Sequence, residues 1–404
     1  MRKIIFLSAL DFKEKSIQVI RKTPEAYRDK GWQVDYVVAR DERAGGNYFY
    51  EKELNPNNIE VYRIRWPLNK VRCNPNKYIS LVANKIASFM VVAKLFFLAR
   101  KLMKSNKYDV IYGYELQGVL AANLLKLFSS RNSILVSRFQ GTFLNEMFEK
   151  KQFARQFFNL DLIFAIWLPS NTRIMTNDGT QGDKAIMKIC GNKAEFKFWV
   201  NGVDEVENPS LSVIDNNKHI ELLTVSRLVG WKRVDRAVDL LEALISKSKK
   251  QFRLTIIGDG SEKKSLMRYA SSKGLDDYIR FIGSVNHKQV DEYMSEAHFF
   301  ISMYESSNVG NPLLESMRKN VPVVTLSNGD TSEWVKHNVT GLIYNEEEIS
   351  YALIAADIIK IVEAPEHYDE MKMQLSIFAD EKLWTWDERL STEVSVVEKL
   401  ACEK

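Results

Sequence analysis

Closely spaced cysteines are missing from this sequence. Its 404 residues include three cysteines, Cys73, Cys190 and Cys402, whose separations match neither a metal site nor a redox pair. Secreted domains that depend on disulfides carry many more cysteines for their length. We therefore expect a reduced, intracellular chain in which the thiols are idle.

Long uninterrupted apolar runs are also missing. The most apolar region, residues 79–103, is broken by Lys85 and Lys94, which leave eight uncharged residues between them. Because a membrane-spanning helix needs about 20 mostly apolar residues, this run is predicted to be too short to cross a bilayer. The opening MRKIIFLSALDF imitates a signal peptide, but charges follow at once and no A-x-A-like site appears, so a buried first strand is expected.

What the chain does contain is typical of a soluble protein with two domains. Hydrophobic residues make up 45% of it and charged residues 27%, enough for two cores of ordinary size. The net charge of +5 hides a difference between the halves. Residues 1–200 hold 33 Lys+Arg and 18 Asp+Glu, a net +15, whereas residues 201–404 hold 24 and 34, a net −10. The halves are predicted to meet different surroundings or to face each other.

Short runs rich in Val, Ile and Phe alternate with longer helical patterns along the whole chain. In the first half the strand candidates are KIIFLSA, QVDYVVA, IEVYRI, VIYGY, ILVSRFQ and RIMTN, and in the second half they are HIELLTVS, RLTIIGDG, IRFIGSV, HFFISMYE, PVVTLS and GLIYN. This alternation is typical of parallel sheets with crossover helices. The predicted fold class is α/β, with two doubly wound, Rossmann-like domains that face a cleft.

A polar, turn-rich segment suggests where the two domains meet. We predict a first domain over residues 1–205, a linker over 206–218 and a second domain over 219–385. Helix 386–404 is a candidate to pack back on the first domain.

Ligands of open α/β sheets bind beyond the carboxyl ends of the strands, so the joints between strands and helices are the places to search. After HIELLTVS come Arg227 and Lys232, at the opening of a predicted amphipathic helix. Two cations and the N–H groups of a helix start would hold a diphosphate well. The alternative is that both are ordinary solvated loop charges.

Two further joints have less specific signals. In RLTIIGDG, Gly258 and Gly260 either let a backbone approach a ligand or simply form a turn. The stretch YESSNVGNPLLES, residues 304–316, ends a strand and starts a helix, with Asn311 as the predicted N-cap and Pro312 at the first helical position.

Residues on either side of that helix start can bind a ligand. Gly310 and the loop before it can present N–H groups to an anion. Glu315, about one turn into the helix, can accept hydrogen bonds from the hydroxyls of a ribose. The alternative is that this acid merely complements the helix dipole.

Taken in order, these joints resemble a known family. The segments SRLVGWKRVDRAVDLL, IIGDG, IRFIGSV, ESSNVGNPLLESM and GDTSEWVKHNVTGLIY, with NGVD at 201–204, resemble the donor-binding domain of retaining glycosyltransferases of the GT-B fold, family 4, also called glycosyl transferases group 1. The resemblance is close over the second half and looser over residues 1–200. It makes the first domain the acceptor side and the second the donor side.

The resemblance implies an activity. It implies transfer of a sugar from a nucleoside diphosphate-sugar to a glycan or lipid-linked acceptor, with retention of the anomeric configuration and without a metal or other cofactor. Such a reaction would serve bacterial-type cell-surface polysaccharide or glycolipid synthesis on the cytoplasmic side, with the protein peripheral on the inner face of the membrane.

It also implies roles for individual residues. Arg227 and Lys232 match the pair that neutralises the donor diphosphate, and Glu315 matches the acid that holds the ribose. Gly283, Ser284 and Val285 match the backbone segment that meets the nucleotide base. The other donor-binding candidates are Gly258, Gly310, Asn311 and Leu313.

The sequence departs from the family pattern at the first acid. In the family, this first acid is a Glu eight residues before the one that matches Glu315. Ser307 occupies that position here, so the role falls to Glu305, Ser307 or Asn308. Asn308 would orient donor hydroxyls without a charge. The glycine pair that often follows the first strand is replaced by ALDFKEKS, so a glycine contact to the donor is not assured.

Acceptor-side candidates lie at strand ends in the first half. Gln140 stands where many relatives have a histidine, and it cannot act as an acid or a base, which suits a mechanism in which the leaving phosphate is the base. Further candidates are Arg138, Thr142, Asp178 and Thr180. The alternative for each is a local turn or cap.

A basic segment in the first half suggests a membrane partner. Residues 61–108 contain eleven Lys or Arg, interleaved with aromatic residues, and no Asp or Glu. Docking on anionic lipid would gain about 1 kcal/mol per basic residue. The alternative is a buried helix with an exposed basic end, because the apolar positions of 79–103 surround the helix. No nucleic acid partner is expected, since no binding module accompanies the charge.

Two other functions remain open. The same fold serves nucleotide-sugar epimerases and sugar-phosphate phosphorylases, and an epimerase would act without an acceptor. The altered first-acid position also fits a non-catalytic, nucleotide-binding subunit of a glycan assembly complex.

Overall fold

The computed structural model of the chain divides into two compact units. It describes residues 2–12, 18–43, 52–129, 132–205, 212–215 and 219–403. Unit 1 comprises Met1–Asn177, Gly182–Asn201 and Trp386–Lys404, and unit 2 comprises Asp178–Gln181 and Gly202–Thr385. Most of the predicted linker, 206–211 and 216–218, lies outside the described residues, as does 13–16 of ALDFKEKS.

Unit 1 is built on a seven-stranded sheet in which every pairing is parallel. The strands are β1 Lys3–Ser8, β2 Gln33–Arg40, β3 Ile59–Arg65, β4 Val110–Tyr114, β5 Ile134–Phe139, β6 Thr172–Thr176 and β7 Lys197–Trp199. Their order is β3-β2-β1-β4-β5-β6-β7, so the winding reverses between β1 and β4. The first six were predicted to within one residue, whereas the three-residue β7 is too short to give a periodic signal.

Helices cover both faces of this sheet, as its fully buried central strands require. They are α1 Gln18–Asp29, α2 Asn69–Arg72, α3 Lys77–Ser105, α4 Glu115–Phe128, α5 Leu144–Glu149, α6 Phe153–Phe158, α7 Leu160–Trp167, α8 Gly182–Cys190 and the C-terminal helix Trp386–Cys402.

The helix α3 is only half buried. It begins at the N-cap Asn76, whose Oδ1 accepts from Tyr78 N at 3.0 Å. One side packs on the sheet and includes Val91 and Leu95, both 0% exposed. The opposite side exposes large apolar residues. The alternative of a buried helix is therefore correct for the side that packs on the sheet and wrong for the opposite side. We call these residues the α3 stripe: Tyr78, Val82, Ile86, Phe89 and Phe97.

Length and composition alone do not exclude a membrane span for this helix. Among the described residues, α3 is the one helix that is long and apolar enough to cross a membrane by those two measures. The predicted exclusion does not hold on this criterion, because the most apolar 18-residue window of the helix contains no more than two charged residues. Core helices of soluble proteins meet the same criterion, and 39% of its most apolar window is buried.

A buried ion cluster fixes the C-terminal helix in unit 1. Its Glu393 accepts from Arg138 at 3.1 Å, from Arg389 at 2.9 Å and from the Tyr112 hydroxyl at 2.7 Å. Both arginine side chains are 0% exposed. Arg138 was predicted as an acceptor-side residue, but its guanidinium lies inside the core, where it also donates to Thr23.

The carboxylate of Glu393 stays ionised in this cluster. Burial by itself raises its pKa, but the charges of Arg138 and Arg389 outweigh burial and leave the pKa lowered. Because the folded-state pKa is lowered, the stabilisation is present above the pKa of the unfolded chain and is lost as the pH falls through the folded-state pKa.

Unit 2 has a six-stranded, wholly parallel sheet in the order β10-β9-β8-β11-β12-β13. The strands are β8 Ile220–Val225, β9 Phe252–Ile257, β10 Ile279–Gly283, β11 Phe299–Ser302, β12 Val323–Ser327 and β13 Gly341–Asn345. The helices are α9 Asp235–Lys247, α10 Lys263–Ser272, α11 His287–Glu296, α12 Asn311–Arg318, α13 Thr331–Trp334, α14 Tyr351–Glu363 and α15 Pro365–Lys382. Both sheets confirm the predicted doubly wound α/β class.

We predict that Glu393→Gln destabilises the protein by about 3–5 kcal/mol at pH 7, because the change leaves two buried guanidinium groups without a counter-charge. The measurement is the free energy of unfolding in denaturant. The control is Glu398→Gln on the same helix, where the carboxylate is 37% exposed and lies 3.4 Å from Arg2. That surface pair should contribute at most about 1 kcal/mol, and equal losses in both variants would contradict the prediction.

Candidate active site

The winding of unit 2 reverses between β8 and β11, and a doubly wound sheet binds ligands at such a reversal. The loop after β8 carries Arg227 and Lys232, and the loop after β11 runs from Tyr304 to Gly310. A backbone hydrogen bond from Glu305 N to Trp231 O, 3.1 Å long, joins the two loops. Two of the three predicted joints are therefore neighbours in space.

Lys232 lies between two aromatic rings. Its Nζ is 4.1 Å from the ring centroid of Trp231 and 3.8 Å from that of Tyr304. It ends a short 3₁₀ turn, Gly230–Lys232, and α9 begins only at Asp235, later than predicted. Among the described residues, no hydrogen bond or ion pair is formed by its ammonium group, which can therefore bind an anion.

The environment of Lys232 lowers its pKa to about 7. Burial is the largest cause, the nearby Arg227 guanidinium lowers the pKa further, and the carboxyl of Asp178 raises it in part. The ammonium therefore loses its proton at a much lower pH than that of an ordinary lysine. A bound anion would draw a proton onto it.

Asn308 holds the loop after β11 in shape. The residue is 0% exposed, and its Oδ1 accepts from Tyr304 N at 3.0 Å. Its Nδ2 donates to Asn328 Oδ1 at 2.7 Å. This geometry does not support the predicted role of Asn308 in orienting the hydroxyls of the donor, because both ends of its amide form hydrogen bonds within the protein.

Ser307 is bonded to an acid that sequence reasoning placed on the acceptor side. Its Oγ donates to Asp178 Oδ2 at 2.8 Å, and Thr180 Oγ1 donates to Asp178 Oδ1 at 2.5 Å. Asp178 belongs to unit 2, although it precedes the predicted domain boundary. Burial raises the pKa of Asp178, and the bonds from Thr180 and Ser307 oppose that rise.

Glu305 has a different partner. Its carboxylate lies 3.4 Å from Arg233 Nη1 and is 50% exposed. Arg233 in turn forms a tighter pair with Asp235, at 2.7 Å. Of the three candidates for the first acid, Glu305 alone is exposed and ionisable, and Ser307 is tied to the acid beside Lys232.

The helix α12 begins one residue earlier than predicted. Gly310 is its N-cap, so Asn311 and Pro312 occupy the first two helical positions. A Cβ at Gly310 would meet Pro312 and Ser307 at 3.8 and 3.9 Å, which is ordinary contact, so packing alone does not require glycine there. Leu313 is 1% exposed, and its N–H donates to Gly310 O at 3.0 Å. The Leu313 N–H and the Gly310 carbonyl are therefore already engaged with each other and are not available to a nucleotide-sugar.

Glu315 is held by a histidine that the sequence did not reveal. Its Oε1 lies 3.2 Å from Nε2 of His287, the first residue of α11. The other ring nitrogen, Nδ1, is 3.7 Å from Asp204 of the NGVD motif. The hydrogen bond to Glu315 is the main reason that the pKa of His287 is raised. A lone histidine 28 positions away carries no signal that would link it to Glu315.

Two glycines of the second joint are required by packing. A Cβ at Gly258 would lie 1.8 Å from Ser226 O, and one at Gly260 would lie 2.2 Å from Leu228 O. These contacts bring the end of β9 against the loop that carries Arg227. Gly258 N also donates to Gly283 O at 2.9 Å, which joins this turn to the segment that contains Ser284 and Val285. Ser284 is exposed and Val285 is half-buried.

The remaining acceptor-side candidates lie in unit 1. Gln140 Oε1 accepts from the Tyr114 hydroxyl at 2.8 Å, at the carboxyl ends of β4 and β5. Thr142 Oγ1 accepts from Leu144 N at 3.2 Å, so the alternative of a local cap describes it. Within the described ranges, no group of three or more His, Cys, Asp or Glu could hold a metal ion.

Solved structures with the same fold cover the whole chain. Sucrose-phosphate synthase from Thermosynechococcus elongatus superposes with a TM-score of 0.75 at 15% identity, covering 100% of both chains. HepE from Anabaena, in complex with UDP-glucose, gives 0.69 at 18% identity and covers 98% of this chain and 100% of its own. These likenesses establish the GT-B fold, as predicted.

The family resemblance is confirmed for part of unit 2. Residues 212–375 match the family model of glycosyl transferases group 1. Alpha-monoglucosyldiacylglycerol synthase of Acholeplasma laidlawii is 27% identical over 137 residues, 33% of each chain. Amylovoran biosynthesis glycosyltransferase AmsK of Erwinia amylovora is 27% identical over 161 residues, 35% of this chain and 38% of that protein. The matched stretch thus spans little more than a third of these relatives.

We predict that Lys232→Met stabilises the protein by about 1–3 kcal/mol at pH 7, because folding no longer buries an ammonium group near the Arg227 guanidinium. The folded-state pKa lies below that of the unfolded chain, so the wild type gains stability as the pH rises from 7 towards 10. The variant should lose that gain. The measurement is the free energy of unfolding at several pH values.

The matched control is Lys264→Met, at an exposed lysine of α10. It should change stability by less than about 0.5 kcal/mol and leave the pH dependence intact. A Lys232→Met protein with wild-type stability and wild-type pH dependence would contradict the prediction.

Proposed function

We propose that the protein is a retaining glycosyltransferase that moves a sugar from a nucleoside diphosphate-sugar to a glycan or lipid-linked acceptor, without a metal. The observation that carries this proposal is the arrangement at the reversal point of unit 2. There Lys232 lies between two aromatic rings, on the same loop as Arg227. A backbone hydrogen bond joins this loop to the loop after β11, which leads into α12 and Glu315.

The names of similar proteins support the substrate class. The HepE structure contains UDP-glucose, a nucleoside diphosphate-sugar. Among the relatives in sequence are a synthase named for a glucosyldiacylglycerol and a GDP-mannose-dependent mannosyltransferase named for a phosphatidylinositol monomannoside. Both names contain a lipid, which supports a lipid-linked acceptor, and AmsK is named for amylovoran biosynthesis.

The chemistry fits the charges on these loops. When the bond between the sugar and the phosphate breaks, the diphosphate leaves with an added negative charge, which fixed cations stabilise more in the transition state than in the ground state. The ammonium form of Lys232, which a bound anion favours, and the guanidinium of Arg227 supply this stabilisation. The hydroxyl of the acceptor attacks the sugar from the side the diphosphate leaves, and its proton passes to the leaving phosphate oxygen. The sugar keeps its anomeric configuration.

The ribose would be held by Glu315. One of its carboxylate oxygens is fixed by His287, and among the described residues no side chain donates to the other. A carboxylate held in this way accepts hydrogen bonds from paired hydroxyls without a further loss of side-chain freedom. His287 is a positioning residue in this proposal, since it acts through Glu315.

We predict different kinetic effects at the two ends of the donor. Lys232→Ala should lower kcat by about 100- to 1,000-fold, because the lost cation acts mainly on the transition state. Glu315→Ala should raise the KM for the donor by about tenfold with a smaller change in kcat, because the ribose is held equally before and during the reaction. A thermal-shift screen of UDP-, GDP- and ADP-sugars selects the donor for the assay.

Lys264→Ala is the control for both, and NMR of the product reports the anomeric configuration. Near-normal turnover of Lys232→Ala with the selected donor would reject the proposal. Conversion of the donor without any acceptor would favour an epimerase, and the absence of turnover with tight donor binding would favour a non-catalytic subunit.

We further propose that the protein acts on the cytoplasmic side of a membrane and contacts its anionic surface through α3. The α3 stripe offers exposed apolar and aromatic side chains, and the end of the helix carries exposed cations. These cations are Arg100, Lys101, Lys104 and, just beyond the helix, Lys107. Interfacial helices combine the same two features.

We predict that replacing Lys101, Lys104 and Lys107 by Gln weakens binding to phosphatidylglycerol vesicles by about 100-fold, since each charge contributes about 1 kcal/mol. The measurement is co-sedimentation with vesicles at two salt concentrations, because screening should weaken wild-type binding. The matched control replaces the exposed lysines Lys247, Lys249 and Lys264 of unit 2. Equal recovery on neutral vesicles would contradict the prediction.

A further inference from the structure

Unit 1 contains a large apolar cavity that the proposed reaction does not use. It lies between α3, α4 and α7 and has a volume of about 930 Å³. Its floor includes Val92 and Leu135, which are 6% and 2% exposed. Its rim includes Phe89, Leu127 and Phe164, which are 57%, 62% and 49% exposed. The cavity is thus open to solvent through an apolar rim, which is costly unless something fills it.

The polar side chains around the cavity are almost all engaged with the protein itself. Asp161 accepts from Lys85 Nζ at 2.7 and 2.8 Å, and Asn123 donates to Val119 O at 3.0 Å. Asn171 Oδ1 accepts from Leu135 N at 2.8 Å. These groups have little capacity to recognise a polar ligand, so the walls select for hydrocarbon.

One polar atom of the lining is left over. Ser170 Oγ is buried and has no hydrogen-bond partner among the described residues. Because this oxygen is sealed from the open cavity, it offers a ligand no polar contact, and the walls that a ligand meets remain apolar.

The surface around the cavity indicates where its occupant comes from. Phe89 belongs both to the rim and to the α3 stripe, so the cavity opens onto the face that carries the exposed apolar residues. The same helix ends in exposed basic residues, within a segment, 61–108, that has no acid. This charge is complementary to anionic headgroups.

We propose that the cavity takes up one hydrocarbon chain of an anionic membrane lipid, drawn from the bilayer through the apolar rim. The proposal goes beyond the proposed function, because the cavity lies at the amino ends of β5 and β6, whereas open α/β sheets bind their substrates beyond the carboxyl ends of the strands. It differs from surface docking, in which protein side chains enter the membrane, because here a lipid chain enters the protein.

Transfer of a chain into an apolar cavity predicts a specific dependence on chain length. Each methylene buried contributes about 0.8 kcal/mol, which is about fourfold in affinity. The affinity should rise with chain length until the cavity is full and should then stay constant. Adsorption on the exposed stripe has no such limit.

The test measures binding of monomeric lysophosphatidylglycerols with 8 to 14 carbons to the full-length protein by calorimetry, each below its critical micelle concentration. We expect Kd to fall by about two- to fourfold per added methylene and then to level off. Leu124→Trp, which fills the cavity from α4, should abolish the dependence on length. Phe97→Ala removes an exposed ring of the α3 stripe that does not line the cavity, and it should preserve the dependence.

Each other outcome overturns the proposal. The absence of binding at every length would show that the cavity takes no chain, and the same length dependence in Leu124→Trp would show surface adsorption only. A concentration-dependent dimer, seen by analytical ultracentrifugation and disrupted by Phe89→Ala, would assign the face to a second copy of the chain. Should Leu124→Trp fail to fold by circular dichroism, Leu120→Phe, also in the lining, replaces it.

The two proposals can fail separately. Lys232→Ala should lower kcat for sugar transfer by about 100- to 1,000-fold and leave lysolipid binding unchanged. Normal chain binding in a protein that transfers no sugar would therefore retain the lipid site and reject the enzyme, and an active enzyme without chain binding would do the reverse.

Discussion

Every strand pairing in both sheets is parallel, and the rest of the structure depends on that constraint. Parallel strands need crossover helices, which bury both faces of the sheet and send all carboxyl ends to one edge. Where the winding reverses, the helices diverge and leave a gap at that edge. In unit 2 the gap falls between β8 and β11, and the loops after these two strands carry Lys232 and Tyr304.

The loops at this gap are stabilised by interactions that do not involve a ligand. The amide of Asn308 is engaged at both ends, and Asp178 accepts from both Ser307 and Thr180. Such support holds Lys232 in an environment that lowers its pKa, at a cost in stability. Natural binding sites commonly combine a rigid shell with one group held in an unfavourable state.

Sequence patterns revealed the strands and the joints, because apolar periodicity and turn residues are local signals. They predicted that Arg227 and Lys232 follow β8, and they predicted the start of α12 to within one residue. They failed where a role depends on distant partners: Ser307 and Asp178 are 129 positions apart, and His287 meets Glu315 across 28. Arg138 looked like a strand-end ligand because Glu393, 255 positions later, gives no hint of its pairing.

The C-terminal helix has a consequence for how the chain is made. It is synthesised after all of unit 2, yet it supplies Glu393 and four core residues to unit 1: Trp386, Leu390, Val394 and Val397. While the ribosome is translating unit 2, Arg138 has no carboxylate beside it, and the face of the first sheet that this helix shares with α1 is partly uncovered. Unit 2 can therefore complete its core first, although unit 1 leaves the ribosome earlier. A chain that stops before Trp386 would therefore lack part of the core of unit 1, although unit 1 is the first unit to be synthesised.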